Sequence, residues 1–224
     1  MRISNTEILK ELGRNIFIEP PPRLEEFDAA GFNLHLGAPL LIWPVNVEYV
    51  VDHRIEHIAK AWERHGVPHD LSHGNSYRLR PGQLCLGFTQ EHIKLPVGND
   101  TLWSKARGLV SSTPVAGTRS YLGHLSNRSW AGRAFIRSAV DAFEVKPGTD
   151  NFVTLEIHAE MEINLYEGMP FIQIGFERID GDIFPTNGWV HGQTTPSGGQ
   201  KPRTVNFSEQ ILRLHSEASG RPTR

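Results

Sequence analysis

An all-β chain, mainly strand with a few short helices, is what this sequence predicts, and three observations carry it. The 21 glycines and 15 prolines make up roughly a sixth of the 224 residues, above the ~12% of average usage. Apolar residues recur in short alternating runs, and Gly or Pro punctuates those runs at regular intervals. The hydrophobic fraction is a modest 38%, yet 11 Phe and 5 Trp supply the bulk for a core. Short strands so punctuated suggest a sandwich or barrel in place of alternating β/α units. The length, with no internal repeat and no linker between two cores, fits one domain over residues 1–224.

The elements follow in chain order. Ser4 caps a first short helix, Glu7 completes a capping box, Gly13 stops it, and Ile8, Leu9 and Leu12 form its apolar stripe. Ile16-Phe17-Ile18 reads as a brief strand, cut off by Pro20-Pro21-Pro22. An inserted helix is expected over 52–66, where Ile55, Ile58, Ala59 and Trp62 keep helical spacing and Gly66 ends the run. Tyr77 to Phe88 alternates around a turn at Pro81-Gly82. Ser104 to Gly123 carries little pattern and reads as a long loop. Phe152 to Ile157 is a strand opened by Pro147-Gly148, Ile163 and Leu165 lead into the turn Glu167-Gly168, and Phe171 to Phe176 is the next strand. The region 185–224 reads as a flexible C-terminal lid or tail. Its stretch Pro185–Arg203 is rich in Gly, Pro, Thr and Ser, and a helix starts at Ser208 with Phe207 and Leu212 as a hydrophobic staple.

Composition excludes several classes of function. With 23 Lys and Arg against 25 Asp and Glu, the chain lacks the basic excess of a non-specific nucleic-acid or membrane-surface binder. One cysteine, Cys85, permits no internal disulfide and no Cys-Cys zinc site. The first residues carry no signal-peptide core, and no apolar stretch approaches the ~18–20 residues of a membrane span. A cytoplasmic protein is expected. His53 and His57 share a helical face, but Arg54 stands where a zincin needs glutamate, so no metal site is assigned. P-loop, dinucleotide-binding and nucleophile-elbow motifs are missing.

The stretch from Asn127 to Glu156 holds the candidate chemistry. Two arginines bracket Arg128-Ser129-Trp130-Ala131-Gly132-Arg133, the Pro147-Gly148 turn follows, and a strand carries Thr154-Leu155-Glu156. On a period-2 strand Val153, Leu155 and Ile157 share one face, and Thr154, Glu156 and His158 the other. Strand pattern alone makes Glu156 a charge on a solvated sheet face, and Arg128 and Arg133 surface charges.

This stretch resembles the dCTP deaminase/dUTPase family, whose run R-S-S-L-A-R precedes a Pro-Gly turn and a T-L-E strand. The resemblance extends outward. Ser4 to Pro20 is similar to the family's first helix and strand, and Gly31-Phe32-Asn33-Leu34-His35-Leu36-Gly37 to its S-x-D-L-R-L-G. Thr89 to Pro96 is similar to T-x-E-x-I-x-L-P, and Gly168 to Phe176 to G-M-x-I-x-Q-x-x-F. Roughly two thirds of the chain is covered.

The resemblance implies a dUTPase-like β-barrel or β-clip of distorted jelly-roll type, assembled as a homotrimer with sites between subunits. It implies conversion of dCTP to dUTP with ammonia release and without zinc. Glu156 would be the general base and acid, Arg133 its orienting cation, and Ser129 the holder of water or ammonia. Arg128, Ser129, Trp130, Ala142, Gln173 and Gln193 would contact the nucleotide, and Mg²⁺ would ride on its triphosphate. The chain departs from the family pattern at several positions. Lys146 replaces the acidic residue before Pro-Gly, which argues against diphosphatase activity. Thr149 replaces an aromatic residue, Asn151 a glycine, and Trp130 the second serine. In the tail only His191-Gly192-Gln193 is similar to the family lid, and Trp189 stands at its lysine position. Two other readings stay open: a nucleotide-binding protein without turnover, and a deaminase of a modified cytosine nucleotide.

Overall fold

Residues 1–45, 48, 50, 52, 58–98, 119–138, 143–181 and 183 are described by the structure, a computed structural model. The first helix, α1 (Asn5–Glu11), starts where the sequence places it: Ser4 accepts a hydrogen bond from the Glu7 backbone N–H at 3.4 Å. The Glu7 carboxylate turns to Lys10 Nζ, 3.0 Å away. Gly13 lies just past the end with φ +74°, a left-handed conformation that favours glycine. Ile8 is buried as expected, whereas Leu9 faces out.

The strands that follow are β1 (Phe17–Glu19), β2 (Phe32–His35) and β3 (Leu40–Ile42), with a 3₁₀ turn at Leu24–Glu26 before β2. Helix α2 (Ile58–His65) is the later part of the expected inserted helix, and positions 53–57 of that expectation lie outside the described residues. Gly66 ends it, donating its N–H to Trp62 O at 2.8 Å. The chain then runs through β4 (Val67–His69), β5 (Ser76–Leu79), β6 (Cys85–Lys94) and β7 (Ser120–Asn127). Helix α3 (Ser129–Arg133) leads into β8 (Ile136–Arg137), β9 (Glu144–Val145), β10 (Asp150–Ala159), β11 (Ile163–Tyr166) and β12 (Pro170–Ile179).

All pairings between these strands are antiparallel. One sheet runs β4-β3-β6-β10-β8 with β1 also on β6, a second runs β2-β12-β7-β9, and β11 pairs with β5. One hydrophobic cluster draws on both larger sheets, with Leu155 and Ile157 from the first and Leu34, Ile172 and Ile174 from the second. The chain is thus mainly β. The described strands form open sheets and do not close into a barrel.

One sequence expectation needs correction. Ser120–Gly123 is strand, the start of β7, although it was expected to belong to a loop. Gly123 made the stretch look like a loop, yet it serves close packing. A Cβ there would come within 3.0 Å of both Ile174 Cδ1 and Val145 Cβ. The segment Ser129–Arg133 is helical, a single short turn that periodicity over so few residues does not reveal. The tail over 185–224 and the helix from Ser208 lie outside the described residues. Among those residues no helix is long and apolar enough to cross a membrane.

The register of β10 against β6 breaks between Phe152 and Thr154, where β6 carries extra residues. Thr89, fully buried, holds this bulge: its hydroxyl donates to Glu91 O at 2.7 Å and accepts from Val153 N at 3.0 Å. The offset sets how β10 runs on towards Glu156, which pairs with Leu86.

Candidate active site

Strand β10 alternates as the sequence predicts beyond its bulge. Leu155, Ile157 and Ala159 are buried, Glu156 is exposed, and Thr154 and His158 are half-buried on the outward side. Val153, beside the bulge, is only partly buried. Glu156 therefore stands on the outer face of a central strand. Leu86 lies opposite it on β6, and the pair His158–Arg137 follows two residues along on the β8 side. Among the described residues this side chain stays exposed.

The second part of the site is α3. Ala131 (fully buried) and Trp130 turn inward, and the Trp130 ring meets Phe171 edge-on at 6.3 Å. This fixes the opposite side outward: Ser129 and Arg133, four residues apart, share one exposed helical face. Arg128 is the half-buried N-cap residue. Trp130 thus has one part of its ring engaged with the core, as packing on its own would require.

Asn127 ties this helix to the next strand, a role that sequence reasoning missed. Its side-chain amide donates to Ile136 O at 3.2 Å, and its Oδ1 accepts from Ser138 Oγ at 2.6 Å and Ser138 N at 3.3 Å. The amide staples the end of β7 to the segment after α3, so the arginine-bearing turn has a fixed exit. The only signal in sequence was its place directly before Arg128. Arg137, opposite His158, was missed as well, because cross-strand register is not written in a two-residue strand.

Phe135, two residues beyond Arg133, has φ +52° and is 64% exposed. A bulky residue in the left-handed region is a true outlier. Its carbonyl accepts from Glu160 N at 3.2 Å, which keeps the chain in line to join β10.

The Pro-Gly turn forms as expected. Thr149 N donates to Lys146 O at 3.1 Å, Gly148 has φ +90°, and the turn is stitched to β6 through Gly148 N–Leu95 O at 2.6 Å and Leu95 N–Thr149 O at 2.9 Å. Lys146 is exposed at its start. Gln173 lies in one register row with Asn33 and Ser126, and its amide donates to Asp28 Oδ2 at 2.9 Å. Ala142 and Gln193 lie outside the described residues. Among the described residues no group of three or more His, Cys, Asp and Glu side chains is arranged to hold a metal ion. Burial pushes the Cys85 thiol up to about 12, so it stays a thiol and packs as an apolar group.

No family model matches the chain. Curated relatives do. The dCTP deaminase of Shewanella amazonensis is 24% identical over 189 residues, 82% of this chain and 86% of that protein. The "dCTP deaminase, dUMP-forming" of Clostridium botulinum is 28% identical over 182 residues, 81% of this chain and 85% of that protein. Among solved structures, the 2'-deoxycytidine 5'-triphosphate deaminase from Agrobacterium tumefaciens shares the fold with a TM-score of 0.54 at 18% identity. The match covers 96% of this chain and 52% of that one, so the chain spans about half the length of that solved protein. These relatives are enzymes that act on a cytosine nucleotide. The chain is thus similar in sequence to dCTP deaminases over about four fifths of its length, and it shares the fold of one over nearly all of it.

Proposed function

We propose that the chain is a hydrolase that removes the 4-amino group of dCTP as ammonia and leaves dUTP. The observation that carries the reading is the outward carboxylate of Glu156 on a central strand, in a fold whose arginine-bearing turn presents Ser129 and Arg133 on one face. Water attacks C4 of the base while Glu156 accepts its proton, and the same carboxyl then delivers a proton to the departing ammonia. Arg133 orients the carboxylate and balances developing charge. Ser129 Oγ holds the water or the ammonia. Arg128 contacts the triphosphate, whose oxygens match a guanidinium fork, and Gln173 and Gln193 complete the nucleotide contacts. Mg²⁺ belongs to the substrate, carried on its phosphates.

General acid–base work by a carboxylate requires partial removal from water. Glu156 is exposed in the single chain, so the reading includes a homotrimer in which a neighbouring subunit covers it. The expected product is dUTP and not dUMP, because the exposed Lys146 supplies no carboxylate for attack on a phosphate.

The test is ammonia release from dCTP, dCMP, CTP and 5-substituted dCTP, with pyrophosphate release measured in parallel. Glu156→Gln is expected to lower turnover by roughly 10²–10⁴-fold with nucleotide binding and assembly kept. Undiminished turnover in that variant removes the role given to Glu156. A second reading, nucleotide binding without turnover, is favoured by Trp130, which is packed on Phe171 where the resembled run has a small hydroxyl residue. Tight nucleotide binding with no ammonia from any substrate selects it.

A further inference from the structure

His35 of β2 lies between two carboxylates from different parts of the fold. Its Nδ1 is 2.6 Å from Glu91 Oε1 on β6, and its backbone N–H donates to Glu91 Oε2 at 2.9 Å. On the other side of the ring, Nε2 is 3.4 Å from Glu26 Oε1 in the 3₁₀ turn. Glu26 in turn accepts from Arg23 Nε at 3.0 Å, Arg23 Nη2 at 2.8 Å and the Arg23 backbone N at 2.7 Å. The side chains of His35, Glu26 and Glu91 are only 13%, 10% and 6% exposed.

Hydrogen-bond capacity dictates the protonation state here. A neutral imidazole has one N–H and one lone pair. With a carboxylate oxygen facing each nitrogen, the neutral ring would aim its lone pair at a negative charge in a nearly dry place. The imidazolium satisfies both sides. Arg23 also meets the exposed Glu25 carboxylate, Nε to Oε1 at 3.4 Å, so loss of the ring proton leaves the two buried carboxylates short of one positive charge.

We propose that His35 is a proton-operated clamp. As imidazolium it fastens the four-stranded sheet of β2 to the sheet of β6 and holds the Leu24–Glu26 turn against both, and as neutral imidazole it lets go. The resembled family run has arginine at this place, a cation that does not titrate near neutrality; histidine makes the same fastening conditional on pH. The influences on the ring are opposed, and the carboxylates prevail. The hydrogen bond that the ring donates to Glu91, and the charges of Glu91 and Glu26, hold the His35 pKa above its ordinary 6.5, against burial and Arg23, which lower it. A raised folded-state value means that the stabilisation is complete below the unfolded pKa and is lost as pH rises through the folded one.

The test uses the whole chain. Ring resonances of the histidines are followed by NMR against pH, with His35→Gln identifying the His35 signal, and thermal midpoints are measured for the wild type, His35→Gln and His35→Arg. His35 is expected to titrate above 6.5. The midpoint gap between wild type and His35→Gln is expected to be wide at about pH 6 and to shrink by at least half at about pH 9. His35→Arg is expected to remove the pH dependence of that gap. A His35 titration at or below 6.5, or a gap that does not change with pH, overturns the proposal. Should His35→Gln fail to fold, the titration of the wild-type ring, identified through its contacts with Glu91 and Glu26, decides alone.

Discussion

Replacing Thr89 by valine tests whether the bulge between β6 and β10 is held by a hydroxyl or by shape. Valine keeps the buried volume and removes the oxygen that joins Glu91 O, at 2.7 Å, to Val153 N, at 3.0 Å. A buried polar group left without a partner costs about 1–3 kcal/mol. The Glu91 carbonyl lies deep beside a fully buried residue and takes about 2 kcal/mol of this, while the half-buried Val153 N–H takes about 1 because water reaches it in part. The sum of about 3 kcal/mol corresponds to a midpoint drop of roughly 6–12 °C for a domain of this size. Thr89→Ser makes the opposite trade: both hydrogen bonds stay and one buried methyl goes, at about 1 kcal/mol and roughly 2–4 °C. Thermal unfolding of the three proteins is the assay. An account based on packing alone puts valine above serine, and the hydrogen-bond account puts serine above valine. Valine as stable as serine, or more so, refutes the reasoning.

Other expectations rest on separate parts of the molecule. Phe135→Gly relieves a left-handed φ of +52° at a residue 64% exposed. Relief of about 1–2 kcal/mol outweighs the added chain entropy of glycine, about 0.5–1 kcal/mol, so the denaturation midpoint should rise slightly. Arg119→Ala strips the guanidinium from the buried Glu11 carboxylate, 2.8 Å away. The arginine side chain is 40% exposed, so a discounted loss of about 1–3 kcal/mol is expected in urea unfolding. Ala131→Leu forces bulk into a fully buried place under α3 and should cost about 1–3 kcal/mol. It should also lower nucleotide turnover by shifting Ser129 and Arg133, read as kcat against the thermal midpoint.

How much of this was legible in the sequence follows from the range of the interactions involved. The Ser4 cap, the Gly13 stop and the Pro147-Gly148 turn depend on residues close in sequence, and they formed where expected. The outward direction of Glu156 followed from strand period alone, since β10 keeps its phase across the bulge. Strand β7 was partly hidden because Gly123 reads as a breaker until Ile174 and Val145 are seen pressing on it. Strand β4 has proline at its centre and exists by pairing with β3. The His35 relay joins residues 56 apart in sequence, and no local pattern marks such a meeting. The helical face of α3 was unreadable for a different reason: five residues are too few to display a period.

The chain leaves the β6 side at Gly98 and returns at Arg119 and Ser120, and these two points touch. Gly98 N donates to Ser120 Oγ at 2.9 Å, a Cβ on Gly98 would lie 2.6 Å from the Arg119 backbone, and Arg119 is moored to Asn15 and Glu11. The two ends that flank residues 99–118 are therefore held side by side by contacts of their own, so a replacement for those 20 residues has no gap to span. Splicing in a linker of about four residues would close a smaller ring, a gain of about 1.4 kcal/mol in chain entropy.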